Sequence, residues 1–396
     1  MHMLKHLLTY AILALGVLWP CEALIIPQPN GTYTVALLTS TLVDSGRTDP
    51  YDPEHRERNI TISLFYPIDR NECEQTCTVP YMPPVTSAYY DSLVASFGVT
   101  GDKIFESFRM QVCCIPSPKA AYHATDFPLV LFSAGLGGSR LIYNAMAQDL
   151  ASTGYAVVTL DSTYDSVVVE YPDGTYVNGL NISFWCIEDP PGFCKPSANV
   201  PSLLETNVKD AQFVLETLGK YTPGKFPIAG AARGFNVERV AYGGHSFGGA
   251  TAIRASMEDV RVAGSFNLDG AQFGNITDSY AAVLLFGRGD PSPHSRNDDA
   301  TWQETWDHLK GWRREFGLRG AEHTGFGDMS LLAKLGGWPA TGKLQQLIGT
   351  SDGQRSFEVV LTYVRAFLGY VFEKKDSELL NGPSEAYPEV VVDGGV

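Results

Sequence analysis

Apolar residues recur along this chain in two patterns. Short, mostly apolar runs occupy 128–133, 155–160, 240–243, 262–268 and 281–286, the first of them continuous. Such runs suit central parallel strands covered on both faces. Between them lie longer stretches of helical periodicity, at 141–152, 203–218, 301–316 and 356–373. The alternation predicts a parallel sheet wound on both faces by helices. Ahead of it, 32–38 and 60–67 carry β-rich, partly alternating patterns, and the polar 44–58 between them suits a long hairpin loop. Residues 71–123 hold four cysteines and several aromatics and read as a crosslinked insertion, helical near 87–97. A second irregular insertion spans 161–202, and the acidic 376–396 reads as a loose tail.

The glycine-dense turn after residue 243 reshapes this outline. Gly244-His245-Ser246-Phe247-Gly248 fits the G-x-S-x-G elbow, in which a strand turns sharply into a helix with serine at the apex. A Cβ at either flanking glycine would collide with the neighbouring strand or helix. With 39 glycines a second match arises, Gly349-Thr350-Ser351-Asp352-Gly353, but no strand pattern precedes it and no histidine follows it. Ser351 or Asp352 reads instead as the N-cap of the last helix. An elbow after a mid-sheet strand makes the expected fold an α/β-hydrolase: a mostly parallel sheet with helices on both faces and cysteine-containing insertions.

Composition bounds the setting. A lightly basic start, an apolar run over 7–19 and the small residue Ala23 read as a signal peptide over 1–23, with one domain over 24–375. That run is too short to span a bilayer comfortably, so no transmembrane segment is expected in the mature chain. The leader takes Cys21 with it and leaves six cysteines. Short loops favour Cys73–Cys77 and Cys186–Cys194, although adjacent Cys113 and Cys114 fit that scheme poorly. A metal at Cys73-x3-Cys77 lacks further ligands at suitable spacing, and no cofactor is expected. Sequons at Asn30, Asn59, Asn181 and Asn275 fit a secreted glycoprotein. A net charge of −15 argues against nucleic acid as a partner.

A serine hydroxyl needs a base, and the base an orienting acid. In this fold they follow the serine in the order acid, then histidine. Downstream of Ser246 stand His294 in a turn-like stretch, His308 at a solvated helix position and His323 in a late loop. His323 is the expected base. Asp269 and Asp290 both follow strands, and periodicity does not choose between them. Phe247 offers one backbone donor to an oxyanion, and the loop Gly135-Leu136-Gly137-Gly138 a second. Trp302, Trp306 and Trp312, with Leu309 and Phe316, read as one apolar helix face packed on the sheet; transient contact with a lipid surface is the other use for them.

Gly244-His245-Ser246-Phe247-Gly248-Gly249-Ala250-Thr251, with Phe132-Ser133-x-Gly135-Leu136-Gly137 before it and Asn267-Leu268-Asp269 after it, resembles the platelet-activating-factor acetylhydrolase family. The resemblance runs from about Phe127 to His323. It implies hydrolysis of short or oxidised sn-2 acyl groups of phospholipids without calcium, with Ser246 as nucleophile and Asp269 and His323 as its partners. It also implies Leu136 as the second oxyanion donor. Animal members carry histidine where this chain has Ala134, and the cysteine-rich segments 71–114 and 186–194 have no counterpart in the family pattern; the leader, sequons and cysteine pattern would suit a secreted fungal member. The expected function is therefore a secreted serine esterase acting on small esters or phospholipids. A polyester or cutin-type hydrolase and an inactive hydrolase-fold binding protein are the alternatives.

Overall fold

The computed structural model describes residues 23–180, 200–223 and 226–394. The expected leader, the Cys186–Cys194 pairing and the Asn181 sequon lie outside them. Among the described residues the main sheet has nine strands: β1 (Thr34–Thr48), β2 (Glu57–Ile68), β3 (Leu129–Ser133), β4 (Ala156–Ser162), β5 (Val240–His245), β6 (Val262–Leu268), β7 (Ala282–Arg288), β8 (Arg313–Leu318) and β9 (Val390–Gly394). Their order is β9-β8-β7-β6-β5-β3-β4-β2-β1. The six strands from β3 to β8 run parallel, while β1, β2 and β9 join antiparallel. With Ser246 at the turn from β5 into the helix that follows it, this is the α/β-hydrolase arrangement.

Alternation along each strand divides the core. In β3, Val130 and Phe132 pack with Ala145, Met146 and Leu150 of helix α2 (Asn144–Ser152) and with the last long helix. Leu129 and Leu131 pack with Val208, Ala211 and Val214 of α3 (Val200–Gly219) and with Ala252 and Ala255 of α4 (Phe247–Glu258). The β5 backbone comes close to its neighbours. A Cβ on Gly243 would lie 2.0 Å from the fully buried Phe266 ring, so that glycine is the seat of the ring.

The first insertion forms a sheet strand Cys73–Pro80 paired antiparallel with Phe108–Pro116, with helix α1 (Pro84–Ser96) between them. Its disulfides are Cys73–Cys113 and Cys77–Cys114, which corrects the expected Cys73–Cys77 pairing. The reason is geometric. Four residues of extended strand separate two Cα atoms by about 13 Å, and a disulfide needs less than about 7 Å. Register shifts on both sides of Gln75 bring the two cysteines to the consecutive pair across the ladder.

Two further expectations change. The helix expected over 301–316 ends early: α5 spans Ala300–His308, and after Gly311 the chain enters β8. A Cβ on Gly311 would sit 2.4 Å from the Ala281 carbonyl oxygen, so the chain crosses beside β7 there. Trp302 and Trp306 are buried with Val283 and Leu285, while Trp312 stacks on Tyr370 of α6 (Gly353–Glu373) at 4.6 Å. The acidic tail is also ordered at its end. Its valine run forms β9 on the edge of β8, with Glu389 paired to Arg355 at 2.5 Å.

A buried ionic cluster joins β2 to α3. The Arg58 guanidinium, 1% exposed, donates to Asp49 at 2.7 Å, to Asp210 at 2.6 Å and to the Thr163 carbonyl at 2.7 Å. Arg47 adds a second contact to Asp210 at 2.8 Å. Removing one partner of such a cluster leaves a charge unpaired. Asp210→Ala should destabilise the protein by about 3–5 kcal/mol, read as a fall in urea midpoint at unchanged slope.

Candidate active site

The centre of the site is a backbone conformation. Ser246 sits between β5 and α4 with φ 55° and ψ −125°, a region that costs a non-glycine residue about 1–3 kcal/mol. Close packing holds it there. A Cβ on Gly244 would lie 2.2 Å from Gly248 carbonyl carbon, and one on Gly248 would lie 2.1 Å from the Ser133 carbonyl oxygen. The Ser246 amide donates to the Leu268 carbonyl at 2.8 Å, which locks the turn to β6.

Three side chains meet at this turn. His323, in a short helical turn after β8, has Nε2 2.9 Å from Ser246 Oγ and Nδ1 2.5 Å from Asp269 Oδ2. A carboxylate can only accept, so Nδ1 carries the proton and Nε2 is free to accept from the serine hydroxyl. Asp269 follows β6 directly, with φ 57°, and is buried. Burial alone would raise its pKa. His294, His323 and Arg288 override this and hold its carboxyl well below the usual range. Arg288 reaches Asp269 Oδ2 at 2.9 Å, and the Arg288 amide donates to Oδ1 at 3.1 Å.

The other candidates lie elsewhere. Asp290 is exposed, and its carbonyl accepts from the Gly320 amide at 2.8 Å. His308 pairs with Asp278 at 2.7 Å on the surface. Ser351 donates to the Arg319 carbonyl at 3.0 Å, and Asp352 caps α6 by accepting from Gln354 and Arg355 amides at 3.1 Å each.

The glycine-rich loop lies against the serine: a Cβ on Gly135 would come within 3.0 Å of Ser246 Cβ. Its path is set by the Gly137 amide on the Asp165 carbonyl at 3.0 Å, the Ser139 amide on Tyr90 Oη at 3.1 Å, and the buried Arg140–Asp161 pair. Leu136 lies in this loop, and Phe247 is the first residue of α4, where helix amides have no intrahelical partner.

Residues that sequence reasoning passed over connect these parts. Tyr143 Oη donates to His245 Nδ1 at 2.7 Å, and His245 Nε2 donates to the His323 carbonyl at 2.7 Å. Burial, then the His323 charge, lowers the pKa of His245 to about 3, so its ring stays neutral. His294 lies in the turn-like stretch after β7. It places Nδ1 2.8 Å from Asp269 Oδ1 and Nε2 2.9 Å from Asp299 Oδ2. Burial opposes its charge, but the two carboxylates push its pKa up to about 9.

A cavity of about 90 Å³ opens at Ser246 and His323. Tyr89, Tyr90 and Leu93 of α1, with Ile142, Tyr143 and Leu347, make its wall largely apolar. Among the described residues no three His, Cys, Asp or Glu side chains are grouped to hold a metal ion, and no helix is long and apolar enough to cross a membrane.

Comparison with known proteins places this geometry. A sequence profile described as platelet-activating factor acetylhydrolase, isoform II, matches residues 22–174, a span that includes the glycine-rich loop and ends before Ser246. A protein from Arthroderma benhamiae, named a probable 1-alkyl-2-acetylglycerophosphocholine esterase, is 29% identical over 93% of this chain and 94% of its own length. A platelet-activating factor acetylhydrolase from Cavia porcellus is 25% identical over 87% of this chain and 78% of its own. Among solved structures, a ferulic acid esterase from Streptomyces cinnamoneus superposes with a TM-score of 0.73 at 27% identity, over 94% of this chain and 99% of that one.

The His294 pairing makes stability depend on pH. Its folded pKa, about 9, lies above the unfolded value of about 6.5, so the stabilisation is complete below about pH 6.5 and lost as pH rises through about 9. Urea midpoints should fall between pH 6 and pH 10 in the wild type, and fall less over that interval in His294→Gln.

Proposed function

We propose that this chain, a carboxylic ester hydrolase similar to the platelet-activating-factor acetylhydrolase family, is a secreted serine esterase of short-acyl esters, sn-2 acyl phospholipids among them. The observation that carries this reading is the line of hydrogen bonds from Ser246 through His323 to Asp269, opening on an apolar cavity beside the glycine-rich loop.

In this mechanism Ser246 Oγ attacks the ester carbonyl carbon while His323 Nε2 takes the hydroxyl proton. The negative charge moves to the carbonyl oxygen, which accepts from the Leu136 and Phe247 amides, aided by the N-terminal end of α4. Collapse breaks the bond to the alcohol oxygen, which receives the proton from His323. Water then attacks the acyl-Ser246 ester, again giving its proton to His323, and the carboxylic acid leaves. Asp269 holds the Nδ1–H tautomer throughout and offsets the imidazolium charge.

Several features support the substrate class. The cavity is small and its wall is apolar, which suits a short acyl group better than a charged one. The Arthroderma and Cavia relatives are named for hydrolysis of an acetylated glycerophosphocholine and of platelet-activating factor, respectively. Export is supported by the leader and by the Asn30 and Asn275 sequons, both exposed. A second reading, hydrolysis of aromatic acyl esters, is favoured by Tyr89, Tyr90 and Tyr143 in the cavity wall and by the esterase likeness.

Ser246→Ala should lower turnover of p-nitrophenyl acetate by roughly 10³-fold or more, whereas Ser351→Ala leaves it unchanged. Comparable activity in the Ser246 variant would sink the assignment. Asp269→Asn should reduce kcat by roughly 10⁴-fold, through the wrong histidine tautomer, and Asp290→Asn by little. Across acetyl, butyryl, octanoyl and feruloyl esters and an sn-2 acetyl phospholipid, kcat/KM should fall with acyl length; a feruloyl maximum would establish the second reading, and turnover of a polyester film in preference to soluble esters would overturn both.

A further inference from the structure

Ester hydrolysis as described uses Ser246, His323 and Asp269, yet the acid is bonded to a second histidine. The two carboxylate oxygens of Asp269 face different imidazoles: Oδ2 meets His323 at 2.5 Å and Oδ1 meets His294 at 2.8 Å. The other nitrogen of His294 faces a second carboxylate, Asp299 Oδ2, at 2.9 Å. An ionised carboxylate only accepts, so an imidazole between two of them must donate from both nitrogens.

The surroundings brace this ring on every side. Asp299 is fixed as the N-cap of α5, where its Oδ1 accepts from the Thr301 amide and hydroxyl at 2.7 Å each. The His294 ring lies 4.4 Å from the indole of the fully buried Trp302. Trp302 Nε1 in turn donates to the Gly270 carbonyl at 2.6 Å, one residue beyond the acid. The His294 amide donates to the Arg288 carbonyl at 3.0 Å, tying the loop to β7.

We propose that His294 is a positioning residue for the reaction: braced by Asp299 and Trp302, it holds the Asp269 carboxylate with Oδ2 toward His323 and supplies a fixed counter-charge inside the closed site. The inference rests on the reading of Asp269 and His323 as acid and base. The charged groups around the ring are Asp269 after β6, Arg288 at the end of β7, Asp299 at the start of α5, and His323 across the carboxylate. Glu322 lies behind Arg288 at 3.6 Å. Two cations, His294 and Arg288, thus face two anions, Asp269 and Asp299.

Two consequences separate positioning from simple packing. Without His294 the Asp269 carboxylate loses one of the groups that orient it, and kcat falls roughly tenfold with KM unchanged. The lost cation also no longer opposes a positive charge on the His323 ring. The acidic limb of kcat/KM against pH therefore moves up by roughly two units, the size expected for one charge about 6 Å away at an effective dielectric of about 20.

The experiment compares His294→Gln and Asp299→Asn with wild type in kcat, KM and the pH profile of kcat/KM on p-nitrophenyl acetate. His294→Gln should show the upward shift, and Asp299→Asn, which removes an anion while Asp269 still holds the ring protonated, a smaller shift in the opposite direction. A folded His294→Gln with an unmoved acidic limb overturns the proposal. Should that variant not fold, imidazole ¹⁵N resonances of the wild type at pH 7, assigned with Asp299→Asn, decide: His294 protonated on both nitrogens upholds it, and a neutral tautomer overturns it. Ser246→Ala activity tests the underlying reading separately, since it leaves the state of His294 untouched.

Discussion

Everything in the site depends on how closely four backbones approach one another at Ser246. The ends of β5, β3 and β6 and the start of α4 converge there with no room for side chains: a Cβ on Gly270 would sit 1.9 Å from the Ser246 carbonyl oxygen, and one on Gly249 would sit 2.1 Å from Asn267 Oδ1. This absence of Cβ atoms is what keeps a non-glycine residue in a left-handed conformation. It also aims the serine hydroxyl out of the sheet and toward the cavity. Substitution of a local glycine acts on the site by moving this convergence, even when the glycine touches no substrate.

Around that turn the loops are joined to one another as well as to the sheet. Tyr143 and His245 tie the turn Arg140–Tyr143, just after the glycine-rich loop, to the backbone of His323. Asp328, five residues after His323, accepts from Tyr81 Oη at 2.8 Å and from the Ala145 and Met146 amides at the start of α2. The base loop is thereby fastened to the disulfide-linked insertion and to a helix that packs on the sheet. The geometry around Ser246 thus also depends on buried contacts between residues far apart in sequence.

What could be read from residues alone follows from range. The apolar runs of β3 to β7 and the glycine spacing of the elbow are local signals, and the structure carries both. His323 was reachable because few histidines follow Ser246. The choice between Asp269 and Asp290 was open on periodicity, and only the family resemblance pointed to Asp269, the one whose carboxylate meets His323. His245, Tyr143 and His294 were not legible, because their roles depend on partners 25 to 102 residues away. The disulfide pairing was missed for a related reason: cysteines near in sequence are held apart by an extended strand. The break between α5 and β8 at Gly311 was masked by apolar residues that fit a helix face and a strand equally.

Asp269 at the end of β6 has a consequence for how this fold can change. The loop after β7 carries no acid of the hydrogen-bonded line, so its residues are free to act on that acid from outside. Arg288 and His294 both come from β7 and its loop. Insertions or charge changes in that loop can therefore retune the electrostatics of the site while the hydrogen-bonded partners Ser246, His323 and Asp269 all stay in place. The strand that holds the acid and the strand that adjusts it are separate, and each can be altered without rebuilding the other.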